Sequence, residues 1–453
     1  MQKSVRFIHT ADLHLGSTLH YTGEPVGRVK NILDTAVKKV FKRICDAALE
    51  YKVDFMIISG DLFDEKQQSI AANEYFYNQC KRLNEEAINI YIISGNHDAS
   101  WKIDRLFDPP ENVCLMGAEE VEIKEFRDDK GDKIAHIMGQ SYRGNSDPRK
   151  MYSSYTPPDE ATWNIGLLHS QLDPNNTSYV PCSYQDLCSK DDLHYWGLGH
   201  IHQSRILQKG FPSIVYSGIP QGRDFGEQGL GGCVLVDLIP DKRPQLKFIP
   251  TSSVIWKEVE ITLEDNKNPR NLEELNGIIK NKAQCMADHV PEINKKFDSI
   301  DQSRDEDFAG YIVRWIIKGR GEIHNILQEQ SEEAIEYMKK NLREHLQNSR
   351  PFIWTEDIEL MTAQPLPSLE ELQASDSIFE EIEQVIQRCR DNPELQKELL
   401  NEFGYIWEGE VDHENYSEDK FQLDEATLDK IIELARERII EKLLEERGII
   451  SAD

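Results

Sequence analysis

Val5-Arg6-Phe7-Ile8-His9-Thr10-Ala11-Asp12-Leu13-His14 decides how the chain is read, because an apolar run leads straight into two groups able to hold a metal ion. The run is short, rich in β-branched and aromatic residues, and ends at a polar turn, which predicts a buried strand. Asp12 and His14 stand two residues apart, a spacing that sends both side chains to one side of an extended segment. Seven more such runs follow: Phe55–Ser59, Ile90–Ser94, Ile134–Met138, Ile165–His169, Trp196–Gly199, Ile214–Ser217 and Cys233–Leu238. Between the first two strands, Leu33, Val37, Val40, Phe41, Ile44 and Ala48 fall on one helical face. Strands alternating with helices and loops predict an α/β fold with a layered sheet core.

Five polar motifs each follow the end of a predicted strand: Asp12-Leu13-His14, Gly60-Asp61, Gly95-Asn96-His97-Asp98, His169, and Gly199-His200-Ile201-His202. Loops at the carboxyl ends of strands are where open α/β sheets assemble their sites. The set offers carboxylates, an amide oxygen and imidazoles without thiolate. That exceeds the four ligands of one tetrahedral zinc and suits a pair of manganese, iron or zinc ions. The most economical division shares Asp61: one ion takes Asp12, His14, Asp61 and His202, the other Asp61, Asn96, His169 and His200. Two ions about 3.5–4 Å apart activate a water and clamp phosphoryl oxygens during in-line displacement. His97 is left over, beside a ligand and next to Asp98, which is expected to hold its ring. That suits a general acid for the departing oxygen or a donor to the phosphoryl group. Taken singly, a lone histidine is more often a satisfied core or surface residue, GNHD a polar turn and GDLFD a helix cap. The ordered set of five carries the reading.

Composition is compatible with a large folded chain. Its 453 residues allow two or three domains, and 39% are hydrophobic and 29% charged. There is no apolar run of transmembrane length, and the N-terminal residues enter a strand without a secretory pattern, so a cytoplasmic location and no membrane association are expected. The eight cysteines are scattered without a CxxC pair and read as reduced thiols, not a disulfide framework or zinc ribbon.

A net charge of -29 at first opposes a nucleic-acid ligand, which is usually met by Lys and Arg. The acidity is uneven. Residues 1–250 carry 28 Lys and Arg against 34 Asp and Glu, residues 251–350 carry 15 against 19, and the last 103 residues 9 against 28. Two divalent cations would offset four charges of the first part. Candidate DNA contacts are Arg143, Arg149 and Lys150 in one loop, and Arg205 and Arg223 flanking the last metal motif. Arg223 is favoured, because its loop follows the metal-binding strands.

The expected organisation is a catalytic domain over 1–253, a small α/β domain over 254–363, and an acidic helical region over 364–453. Strands are expected at Val254–Ile261 and Tyr311–Lys318, and helices at Asn271–Ala283 and Glu332–Leu346. Ile378, Ile382, Val385, Ile386 and Cys389 make one amphipathic face, Asn392-Pro393 starts a helix, Glu408–Asp424 reads as a solvated linker, and a final helix ends at Gly448.

The ordered motifs resemble the calcineurin-like metallophosphoesterase superfamily, whose pattern is D-x-H, G-D, G-N-H-D, H and G-H-x-H. Phe7–Gly16 resembles the opening of SbcD-type nuclease subunits and their YhaO-like relatives. Tyr216–Arg223, with Glu227 and Gly231–Val236, resembles the loop and strand after GHxH in YhaO-like proteins. Val313-Arg314-Trp315 and Gly319–His324 resemble the capping domain more weakly. The resemblance implies a layered α/β/β/α core with a capping domain, and a manganese-dependent DNA exonuclease, also endonuclease, with two divalent metal ions per chain. It also implies a homodimer working with a coiled-coil ATPase of the SbcC or YhaN type, which C-terminal helices bind near its base, in DNA repair or defence against foreign DNA. The acidic helices suit such docking, or ordinary packing onto the capping domain. The same metal pair would serve a phosphomonoesterase, a protein phosphatase or a cyclic-nucleotide phosphodiesterase. A scaffold subunit for an ATPase is the reading from a different class.

Overall fold

Side chains alternate across the strands, and that alternation builds the layers. In β1 (Val5–Thr10), β2 (Phe55–Ser59) and β3 (Asn89–Ile93), the residues Phe7, Phe55, Ile57, Tyr91 and Ile93 enter one core, and Ile8, Met56, Ile58, Ile90 and Ile92 another. Both faces of this sheet are therefore apolar and must be covered. The second core is closed by α1 (Gly27–Glu50) and α2 (Ile70–Glu85), through Val40, Phe41, Ile44, Phe76 and Leu83. The computed structural model describes residues 2–64, 69–102, 106–158, 162–266, 268–287, 297–301, 303, 308–392, 394–396 and 425–447.

Further strands are β4 (Val113–Leu115), β5 (Glu122–Arg127), β6 (Lys133–Gly139), β7 (Trp163–His169), β8 (Tyr195–Gly199), β9 (Arg205–Gln208) and β10 (Ser213–Tyr216). They are followed by β11 (Gly232–Leu238), β12 (Gln245–Pro250), β13 (Val254–Thr262), β14 (Ser299–Ile300), β15 (Gly310–Arg320) and β16 (Phe352–Ala363). One sheet has the order β14-β12-β11-β1-β2-β3-β4, a second the order β5-β6-β7-β8-β10-β9, and a third the order β13-β15-β16. In the first, β1 through β4 are parallel and β11 returns antiparallel to β1. In the second, β6, β7, β8 and β10 are parallel. Parallel pairing brings the carboxyl ends of β1, β2 and β3, and of β7 and β8, to one side of each sheet.

The two larger sheets enclose a common core of Phe7, Phe55, Ile137, Trp163, Ile165, Leu167, Tyr195 and Val215. The outer face of the second sheet, with Met138, Leu168, Trp196 and Ile214, packs on Tyr142, Met151, Tyr155, Val180 and Leu187. The layering is α/β/β/α in order, but the fourth layer is thin. It consists of loops, the turn Met151–Ser154 and the short helix Tyr184–Cys188, which a Ser183 capping box starts.

By contacts the chain forms two compact units, Met1–Ile261 with Leu272–Ile317 and Ser331–Leu360, and Thr262–Asn271 with Lys318–Gln330 and Met361–Asp453. In the first, the start of α1 (Val29, Leu33, Ala36, Val37) packs on Val254, Trp256, Ile312, Phe352 and Trp354 of the third sheet. In the second, the helices Ser377–Asp391 and Glu425–Glu446 run antiparallel, with Arg447 on Asp376 at one end and Arg390 on Asp429 at the other. Their apolar faces meet through Phe379, Ile440 and Leu444, and through Ile386, Leu428 and Ile432. The stripe expected from Ile378, Ile382, Val385, Ile386 and Cys389 is thus partly covered from within the chain, with Val385 left exposed. The expected Pro393 helix start, the 408–424 linker and the Gly448 stop lie outside the described residues. Among the described residues, no helix is long and apolar enough to cross a membrane.

Candidate metal centre

Asp12 and His14 follow β1, Asp61 follows β2, and His200 follows β8, and all four take left-handed backbone, with φ of 52°, 44°, 51° and 91°. Non-glycine residues rarely adopt that region, and strained backbone of this kind concentrates at functional sites. Main-chain bonds fix the turns against each other: the Asp12 amide donates to Gly60 O at 3.0 Å, and the His14 amide to Asp61 O at 3.0 Å. The His200 amide donates to both Asp12 carboxylate oxygens, at 3.1 and 3.2 Å. Gly60 has φ +93°, and a Cβ there would collide with the His169 ring. Glycine is needed to let the imidazole in.

The seven side chains expected to hold cations come together. Asp12, His14 and His202 offer ligand atoms all within 4.8 Å of one another, as do Asp12, Asp61 and His169. Asn96 Oδ1 lies 3.1 Å from His169 Nε2 and 3.2 Å from His200 Nδ1. Asp12 belongs to both groups, and Asp61 Oδ2 lies 3.3 Å from His169 Nε2 in the second. The residues fit a cation. His14 is buried, and neither ring nitrogen has a hydrogen-bond partner. A buried imidazole left without partners is costly unless a ligand completes it. Burial pushes its pKa down to about 3, which keeps it neutral as a metal ligand requires. Burial likewise takes His200 to about 3. Burial lowers His169 too, but the Asp61 carboxylate 3.3 Å away outweighs it and raises the ring to about 9. A cation would take the place of that proton.

His97 faces this cluster, its ring centroid 5.0 Å from that of His14. Its amide donates to Asp61 Oδ1 at 2.9 Å, so one hydrogen bond between two loops joins a ligand candidate to the acid candidate. The expected support from Asp98 needs correction. His97 Nδ1 is 3.0 Å from Asp64 Oδ1, and that hydrogen bond raises the histidine's pKa. Asp98 points back into the protein, accepting from the amides of Leu62 at 2.8 Å and Gly95 at 2.7 Å. Burial pushes its carboxyl up to about 7, as does the charge of Asp61. It ties the loops together and does not hold the ring.

Arg223 also departs from expectation. Its side chain is 11% exposed, and its guanidinium meets Glu227 at 2.6 Å and Asp64 at 3.3 Å. Glu227 in turn lies 2.8 Å from His202 Nδ1. Arg149 is bound to Asp147 and to the Ala118 carbonyl, both 2.5 Å away, and so braces a loop. Arg143 pairs with Glu119 and Arg205 with Gln203, both arginines exposed, and Lys150 is exposed. Asp64 and Glu227 were missed as site residues. The only signals for them were the second Asp of Gly60-Asp61-Leu62-Phe63-Asp64 and the acid four residues after Arg223.

Residues 5–204 match the family model described as calcineurin-like phosphoesterase. The chain carries a calcineurin-like phosphoesterase domain. The matched residues span all five motifs, from Asp12 to His202. The chain is similar to an uncharacterized metallophosphoesterase of Bacillus subtilis, YhaO, at 32% identity over 274 residues, covering 59% of this chain and 65% of that protein. It thus spans just under two thirds of that relative's length. It is also similar to DNA double-strand break repair proteins named Mre11. The protein from Methanocaldococcus jannaschii is 27% identical over 58% of this chain and 70% of its own length. The one from Sulfurisphaera tokodaii is 23% identical over 72% and 77%.

Proposed function

We propose that this chain is a metal-dependent DNA nuclease subunit that hydrolyses phosphodiester bonds, with exonuclease and also endonuclease action. The observation that carries the reading is the convergence of Asp12, His14, Asp61, His169 and His202 around positions where buried His14 lacks any hydrogen-bond partner. Similarity to the Mre11 proteins supports DNA as the substrate class.

Two divalent ions, manganese foremost with iron or zinc possible, would be held by Asp12, His14, Asp61 and His202 and by Asp61, Asn96, His169 and His200. Bound there, they would supply Lewis-acid activation of water and neutralise phosphoryl charge. The chain supplies the rest. The strained turns aim the carboxylates and imidazoles at one point. His97 gives a proton to the departing oxygen, and Asp64 holds its ring and favours its charged form. Arg143, Lys150 and Arg205 remain exposed for phosphate contact. Residues 254–363 act as a capping domain over substrate. Residues 364–453 dock a coiled-coil ATPase, and the working form is a homodimer in the cytoplasm.

The test is to offer purified protein and manganese linear duplex DNA, single-stranded DNA and a chromogenic phosphodiester. DNA cleavage lost in His97→Ala supports the nuclease. Hydrolysis of the small ester alone would favour a phosphomonoesterase, protein phosphatase or cyclic-nucleotide phosphodiesterase. No cleavage by a protein that binds an ATPase tightly would favour a scaffold.

A further inference from the structure

Five side chains from four loops form an unbroken chain of contacts around one side of the centre. His202 Nδ1 lies 2.8 Å from Glu227 Oε1, Glu227 takes the Arg223 guanidinium at 2.6 Å, Arg223 reaches Asp64 Oδ2 at 3.3 Å, and Asp64 Oδ1 lies 3.0 Å from His97 Nδ1. One end is a metal-ligand candidate and the other the acid candidate. The middle is shielded, with the Arg223 and Glu227 side chains 11% and 7% exposed. The loop is shaped for the pairing. The Arg223 amide donates to Glu227 Oε2 at 2.7 Å, and a Cβ on Gly222 would strike the Glu227 carbonyl. A guanidinium presents several donors in a rigid fork and can hold two carboxylates at once, which a lysine ammonium does less well.

We infer that Arg223 and Glu227 are positioning residues that lock the His202 ring and the His97–Asp64 pair into a single frame. This rests on the metal-dependent hydrolysis proposed above. Glu227 engages His202 Nδ1, which leaves Nε2 as the nitrogen for a cation, and such outer partners fix a ligand's orientation. Arg223 carries that constraint across to Asp64, so ligand geometry and proton donation are set together. The same arrangement removes Arg223 from the pool of groups free to bind a DNA phosphate.

The test uses the full chain with Glu227→Gln, Arg223→Ala, Arg223→Lys, Asp64→Asn, and Arg223→Ala combined with Asp64→Asn, each checked for unchanged circular dichroism. Manganese affinity is read by calorimetry, and kcat and KM on a chromogenic phosphodiester and on duplex DNA. Glu227→Gln is expected to weaken manganese binding about 10–100-fold. Arg223→Ala and Arg223→Lys are expected to weaken it to a lesser degree and to lower kcat with little change in KM. At saturating manganese, the double variant is expected to be no slower than Asp64→Asn, since Arg223 reaches His97 only through Asp64. Arg223→Ala raising KM on DNA with kcat intact, and effects that multiply with Asp64→Asn, would overturn the inference and make Arg223 a substrate contact. Wild-type protein that hydrolyses the ester but not DNA would end the nuclease reading while leaving this comparison intact. If it hydrolyses neither, manganese affinity decides: weakened in Glu227→Gln and Arg223→Ala upholds the frame, and unchanged in both overturns it.

Discussion

His97 and Asp61 are joined by one hydrogen bond between two loops but serve separate tasks, and single substitutions should separate them. Removing the imidazole leaves every ligand candidate in place, so His97→Ala should retain its cations while turnover falls about 10²–10⁴-fold, the range for loss of a general acid. Asp61→Asn removes the charge of a carboxylate whose Oδ2 lies 3.3 Å from His169 and whose Oδ1 accepts from the His97 amide. It should lose at least one ion per chain, read by elemental analysis after desalting. An Asp61→Asn protein that kept full metal content and rate would contradict the assignment. The residues expected as ligands were legible because each stands at a strand end in a recognisable short motif. Asp64 and Glu227 were not, because nothing in the stretches that hold them shows that Asp64 meets His97 and Glu227 meets His202 once the loops come together. Asp98 misled for a related reason: adjacency in sequence to His97 says nothing about which way a buried carboxyl turns, and the Leu62 and Gly95 amides turn it inward.

Strand ends are the elements that make the site, and their cost is visible in the backbone. Asp12, His14, Asp61 and His200 hold left-handed φ values that stray from what L-residues favour, each costing of order 1–3 kcal/mol. Gly60 has φ +93° and lies against His169. Gly60→Ala should therefore lower the melting temperature and weaken metal binding together. Gly144→Ala, with nothing within 4 Å of its added methyl and no positive φ, is the control and should stay within about 0.5 kcal/mol of the parent. A Gly60→Ala protein as stable and as metal-competent as that control would show that the turn is not under the constraint described. Buried parallel strands such as β2 and β7 were legible as continuous apolar runs. β5 (Glu122–Arg127) was not, because it alternates charged residues along an edge of its sheet, and β16 was not, because Thr355, Glu356 and Asp357 interrupt its apolar pattern. The thin fourth layer was equally hidden, since loops leave no periodic signal.

For the whole molecule, charge and metal are linked. The last 103 residues hold 9 Lys and Arg against 28 Asp and Glu, while residues 1–250 are nearly balanced once two divalent ions are counted. A ligand that binds only the folded chain stabilises it, by about 2.7 kcal/mol at a hundredfold excess over its dissociation constant. The fold class and the place of the centre were legible because strand runs and motifs recur together over the first ~250 residues. The grouping of residues 262–271 and 318–330 with the C-terminal helices was not, since it depends on contacts between segments far apart in sequence. The central claim is that two cations sit side by side among Asp12, His14, Asp61, Asn96, His169, His200 and His202. Calorimetric titration of metal-free, folded protein with manganese, checked by elemental analysis, tests it most directly. The account predicts two ions per chain; a plateau at one ion, or none, would contradict it.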